Sequence, residues 1–273
     1  MTGFPALAPS DLAPTLTTLH EHARVLGAIR RSLTPRRRHW SHVTLRLTAT
    51  GLTTTPIPVP AGAVDLTLDL LDPATVLQSS DGRRERLPLR EISPAEHFEV
   101  LSQLLESFGA KPDPGGADFS EEVGSLDAGV ARDYHQVLSR LDLTLKRFAG
   151  ELRQETSPVQ LFPHHFDLAT SWFSGRLVPG EDPGDEDASD EQLTFGFAPP
   201  DSVIARPYVY VTAYPKPDGW GEAELANPGR WHTEGFHAAI LRYDDLLEFE
   251  DPEGTILAFL RAVHRDAAGL MES

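Results

Sequence analysis

An α+β fold of two similar halves, each running helix, antiparallel sheet, helix around a shared core, is what the sequence predicts. Three observations carry that expectation. Apolar residues recur at three- and four-residue intervals in four segments, the stripe of an amphipathic helix. Between those segments apolar and polar residues alternate singly, as in half-buried strands. The same order of segments then occurs twice along the 273 residues.

The first helix is marked by Leu12, Leu16, Leu19, Ala23, Leu26, Ile29 and Leu33, with Ser10 or Asp11 as cap and a stop before Pro35. Val43, Leu45, Leu47 and Ala49 then alternate with Thr44, Arg46, Thr48 and Thr50, which predicts a strand. Val64, Leu66, Leu68 and Leu70 alternate in the same way. Asp81-Gly82 supplies a tight turn between strands at 75–79 and 85–89. Ser93-Pro94-Ala95-Glu96 reads as a capping box with Pro at the first helical position, launching a helix through Phe98, Leu101, Leu104, Leu105 and Phe108 to Gly109. A loop rich in Pro, Gly and Asp follows, from Lys111 to Gly116.

The second half opens on Val130, Tyr134, Val137, Leu138, Leu141, Leu145, Phe148 and Leu152, a long helix that ends before Pro158. Strands are expected at 166–173, 193–197, 208–214 and 236–242. Asp251-Pro252-Glu253 caps a last helix through Ile256, Phe259, Leu260 and Val263. At a shift of 123 positions Arg24, Gly27, Arg30, Pro35, His42 and Leu45 meet Arg147, Gly150, Arg153, Pro158, His165 and Leu168, so helix, Pro stop and first strand stay in register. We therefore expect an internal duplication, with one half over residues 1–116 and the other over 117–273. The extra length of the second half falls in its loops, at Glu181 to Glu191 and Trp220 to Trp231. A ligand would be expected at the seam between such halves.

Composition excludes several classes of function. With 40% hydrophobic residues the chain can bury a substantial core, and its net charge of -17 opposes binding to nucleic acid or an anionic membrane. The chain has no cysteine, which removes disulfides, thiolate metal sites and thiol nucleophiles, and fits a cytoplasmic location. The N-terminal residues lack the pattern of a signal peptide, and no segment is apolar for long enough to span a bilayer. The phosphate loop, the dinucleotide-binding glycine pattern, the nucleophile elbow and the His-Glu-x-x-His zinc motif are all missing.

What chemistry the sequence offers centres on Pro163-His164-His165-Phe166-Asp167-Leu168-Ala169-Thr170-Ser171-Trp172-Phe173-Ser174-Gly175-Arg176. On a regular strand His165 and Asp167 share a face, while His164 points with Phe166, Leu168 and Trp172. Asp167 could hold the tautomer of His165, or the pair could bind a divalent transition metal with His232 or His237 from "WHTEGFH" as further ligand. The simpler alternative is that His165, like His42, hydrogen-bonds at the entrance to a strand. Tyr208, Tyr210 and Tyr214 share a strand face and, with Trp172, Trp220 and Trp231, could line an aromatic pocket or form ordinary core. "PRRRHW", Pro35 to Trp40, is the only dense basic cluster; its arginines suit a carboxylate or phosphate, or could pair with the acidic loop at 181–191. That loop lacks calcium-ligand spacing and reads as a solvated, mobile insertion, with a protein-interaction role as its functional alternative.

The segment from Thr156 to Arg176, with His39-Trp40, Gly51 to Pro58, Thr212 to Pro217 and the final "LRYDDL" and "DPEGTILAFL", resembles a bacterial family catalogued as domain of unknown function 5996. The resemblance spans nearly the whole chain and implies no activity. It places weight on Phe166-Asp167-Leu168 and Phe173 to Arg176, hence on Asp167 and Arg176. Taken together, these readings lead us to expect a small-molecule-binding protein with a pocket lined by Asp167, Arg176, His165, Trp172 and Tyr214. The alternative is a metal-dependent hydrolase or oxygenase using His165, Asp167 and His232.

Overall fold

Helix α1 (Pro9–Leu33) buries Leu12, Leu16, Leu19, Leu26 and Ile29, and its Thr34 end closes when the Thr34 hydroxyl donates to the Arg30 carbonyl. The computed structural model describes residues 3–7 and 9–271, the side chains of 9–11 excepted, so the cap expected at Ser10 or Asp11 lies outside the described side chains. A single 3-10 turn at Arg38–Trp40 leads into β1 (Arg46–Leu47), β2 (Gly51–Thr53), β3 (Ile57–Val59), β4 (Gly62–Asp69), β5 (Ala74–Ser79) and β6 (Arg84–Pro88). Helices α2 (Pro94–Glu106) and α3 (Ala128–Ala149) follow, then β7 (Gln160–Phe162) and β8 (Asp167–Leu177). The chain ends with α4 (Glu186–Ser189), β9 (Asp190–Ala198), β10 (Tyr208–Tyr214), β11 (Arg230–His232), β12 (Ala238–Arg242), α5 (Tyr243–Leu246) and α6 (Pro252–Met271).

The elements gather into two compact units. One comprises Leu7–Ser139 with Gln160–Phe166; the other takes the chain up to Ala6, Arg140–Val159 and everything from Asp167 onward. Each contains an antiparallel sheet and helices, so the architecture is α+β. The boundary between them in sequence falls inside α3 and again on either side of β7.

In the first unit the sheet order is β1-β2-β4-β5-β6, with β3 also paired to β4. Strand β4 shows why the alternation was informative: Val64, Leu66 and Leu68 are buried, while Ala63, Asp65 and Thr67 are half exposed. Full burial of one such leucine contributes about 1.5–3 kcal/mol. Helix α1 lies on β3 and β4 and packs against α2. The Ser93 hydroxyl accepts from the Glu96 amide at 3.1 Å and starts α2 as the capping box requires. The strand expected over 43–49 is ordered only at Arg46–Leu47, and Leu45 instead exchanges both backbone hydrogen bonds with Leu161 of β7. No sequence signal announced β2, β3 or β7.

In the second unit the strands run β8-β9-β10-β12-β11, all antiparallel. One face is apolar: Leu168, Thr170 and Trp172 on β8, Phe195 and Phe197 on β9, Val209 and Val211 on β10, and Leu241 on β12. Phe148 of α3 meets Phe195 edge-on at 4.7 Å, and Ile256, Leu260 and Val263 of α6 are buried. The Asp251 carboxylate accepts from the Gly254 amide at 2.9 Å, capping α6 as the sequence indicates. The Trp220 to Trp231 segment, expected as an insertion, contributes β11. The acidic insertion is also more ordered than expected: it forms the α4 turn, with Glu186 and Ser189 buried. No described helix is long and apolar enough to cross a membrane.

Candidate functional site

The second face of the β8-β9-β10-β12-β11 sheet carries the polar chemistry. Strand register defines one row across it: Ala169 on β8 opposes Gly196 on β9, Gly196 opposes Tyr210 on β10, Tyr210 opposes Ile240 on β12, and Ile240 opposes Arg230 on β11. Residues opposite one another in an antiparallel pair project to the same side. By alternation Asp167, two residues before Ala169, projects there too, as does Tyr208.

Gly196 shapes this surface. A Cβ built at that position would lie 2.5 Å from the Tyr210 Cζ and 2.6 Å from its hydroxyl oxygen, so the tyrosine ring occupies the space a side chain would need. The ring therefore crosses β9, and its O–H donates to Asp167 Oδ2 on β8 at 2.5 Å. Asp167 is only 8% exposed. Beside it the Tyr208 O–H donates to Asp201 Oδ2 at 2.7 Å, with the two tyrosine rings 6.1 Å apart. Asp201 is itself fixed, because its Oδ1 accepts from the amides of Val203 and Ile204, each at 2.7 Å. Ala198, Ile204, Ala238 and Ile240 form the apolar surround.

Burial, and then the charge of Asp167, pushes the Tyr210 phenol far above its usual range. Tyr208 is raised by burial, by its hydrogen bond to Asp201 and by the carboxylate charges. Both phenols consequently remain protonated at any ordinary pH and act as donors. A phenol-anchored carboxylate beside apolar and aromatic surface can accept hydrogen bonds from a donor.

The other residues singled out from the sequence go elsewhere. Arg176 lies at the far end of β8, nine residues from Asp167 and on the order of 30 Å away at the usual rise per residue. It pairs with Glu191 Oε1 at 2.5 Å and donates to the Met271 carbonyl at 3.2 Å. Trp172 sits on the apolar face, edge-on to His264 at 5.0 Å, with its indole N–H donating to Gln154 Oε1 at 3.2 Å. Tyr214 shares the face of Tyr210 but lies four residues further along β10, where its O–H donates to the Ala188 carbonyl at 3.1 Å. Trp220 and Trp231 stack edge-on with each other at 4.8 Å.

His164 and His165 are not on a strand. Residues 163–166 form a turn, closed by the Phe166 amide donating to the Phe162 carbonyl, and Phe166 has a φ of 58°. That left-handed residue breaks the alternation before Asp167, so the expected His165/Asp167 face does not form. Phe166 is fully buried between His20 and Tyr134, with ring separations of 5.5 and 5.8 Å. The His165 ring lies 4.3 Å from that of His164, whose own pKa is lowered by loss of hydration and then by His165 and His20. His232 is engaged with the Glu234 carbonyl at 2.8 Å and with the Phe236 ring. Among the described residues no group of three His, Asp or Glu side chains is arranged to hold a metal ion.

Sequence reasoning missed a second buried polar cluster, in the first unit. His22 of α1 and His97 of α2 approach through their Nδ1 atoms at 3.0 Å, and His97 Nε2 is 2.9 Å from the Thr75 hydroxyl. Burial lowers the His22 pKa to about 4 and holds His97 well below the usual imidazole range, the latter aided by His22. The pair is a neutral hydrogen-bonded bridge between two helices and a strand.

No curated protein and no solved structure matches the chain. A family model does: it matches residues 4–272 and describes a family of unknown function. By that match over essentially its whole length, the chain belongs to DUF5996.

Proposed function

We propose that the protein binds a small molecule on the sheet face around Asp167 and Tyr210. The ligand presents an ammonium or hydroxyl donor to the Asp167 carboxylate and lays an apolar or flat body against Tyr208 and Tyr210. The observation that carries this reading is the phenol of Tyr210 spanning Gly196 to anchor a nearly buried carboxylate. Burying a charge is costly unless its hydrogen bonds are met, and an apolar pair would serve packing alone at lower cost. Binding rather than catalysis is favoured because both phenols stay protonated and act only as donors.

The test is native mass spectrometry on protein purified without denaturation, followed by organic extraction of whatever is released. Wild type is expected to release a small molecule, and Asp167→Asn, which keeps the shape and removes the charge, to release at least about tenfold less, the loss expected for a hydrogen bond to a charged group. Equal release from both proteins, or none from wild type, removes the reading.

A further inference from the structure

The first unit holds a cationic site that is independent of Asp167. Arg30 lies on α1 one turn after Gly27, where the helix comes so close to the following chain that a Cβ at Gly27 would stand 2.7 Å from Pro163 and 3.5 Å from the Val43 carbonyl. One turn further on, the Thr34 hydroxyl donates to the His42 carbonyl at 3.0 Å. Arg30 is thereby enclosed, with 7% of its surface exposed. Its Nε and Nη1 are buried and have no hydrogen-bond partner.

Buried guanidinium groups are ordinarily met by carboxylates or carbonyls. Burial, and after it the like charges of Arg46 and Arg37, lower the pKa of this one to about 10. The loop that follows adds to the positive field: Arg36 stacks over the Trp40 ring at 5.7 Å, Trp40 stacks on His42 at 5.6 Å, and the Arg37 amide donates to His42 Nδ1 at 3.3 Å. His39 and Trp40 hold φ values of 50° and 53°, a left-handed conformation that non-glycine residues rarely adopt.

We propose that Arg30, with Arg37 and Arg46, forms a binding site for a phosphate group, carried free or as a small phosphomonoester. The guanidinium fork matches two phosphate oxygens, and three arginines suit a dianion better than a single carboxylate. The net negative charge of the whole chain keeps polyanions such as nucleic acid away while leaving a small oxyanion access to the cluster.

Isothermal titration at constant ionic strength, with inorganic phosphate, methyl phosphate and acetate as separate probes, tests the proposal. Wild type is expected to give saturable binding with one or both phosphate probes. Tighter binding of methyl phosphate assigns the site to phosphomonoesters, and equal or tighter binding of inorganic phosphate assigns it to the free ion. Arg30→Met should weaken binding by about tenfold or more while leaving thermal stability in chloride equal or higher, because it removes a buried charge that lacks a partner. The exposed Arg37→Ala, which should fold normally, is expected to weaken binding several-fold, and Asp167→Asn to leave it unchanged. Absence of saturable binding to both phosphate probes overturns the proposal. So does acetate binding more tightly than either, or undiminished phosphate affinity in Arg37→Ala together with any folded Arg30→Met.

Discussion

Gly196 and Tyr210 show how one missing side chain organises a surface. Gly196→Ala would place a methyl group inside the Tyr210 ring, so the ring must leave and its bond to Asp167 must break. Overpacking of this kind costs about 1–3 kcal/mol, and urea denaturation should register it as a lower midpoint. Tyr210→Phe keeps the ring and removes only the hydroxyl. It should cost about 1.5–3 kcal/mol, the range for hydrogen bonds to charged groups, and the loss should be non-additive with Asp167→Asn. Additive losses would mean that the two residues do not act on each other. A glycine in the middle of "LTFGFA" was the visible cue, because glycine inside a strand marks a close approach. Which ring makes the approach could not be read, since Tyr210 reaches Gly196 only through the β9–β10 register.

At the level of elements, helix starts are governed locally and test cleanly. Ser93→Ala removes the acceptor for the Glu96 amide and should lower stability by about 1 kcal/mol, with Asp251→Ala acting similarly on α6. Amide exchange confined to the first turn of each helix would separate fraying from global loss; unchanged exchange there would show that the caps contribute nothing. Helices α2 and α6, strand β4 and the β5–β6 hairpin were legible because their signals lie within a few residues of one another. Strands β2, β3, β7 and β11 were not. Each has three residues, too few for alternation to register, and each exists because a partner strand supplies its hydrogen bonds. The shared face expected for His165 and Asp167 fails for a related reason: it assumes a regular strand through residue 166, and the left-handed φ of Phe166, which closes the turn at 163–166, leaves no mark in the sequence.

Across the whole molecule the histidines set an acid limit. Burial lowers the pKa values of His20, His22, His97 and His264 in the folded protein, while the unfolded chain titrates near the ordinary imidazole value of about 6.5. Below that pH the unfolded chain takes up protons that the folded protein refuses, so stability falls as pH drops from about 6.5 towards about 4, where His22 itself titrates. Above pH 7 these groups are neutral in both states and contribute no pH dependence. The unfolding free energy should therefore decrease by more than about 1 kcal/mol between pH 7 and pH 5, and a flat profile would contradict the buried neutral state of the His22–His97 pair. Periodicity, caps and turn residues determined the helices, the longer strands and the α+β class, because those features follow from neighbours within one or two turns of chain. Tertiary structure alone decided that Tyr210 meets Asp167, that Arg176 does not, and that Arg30 is buried among other arginines, because such meetings depend on strand order, register and the direction of each side chain after folding.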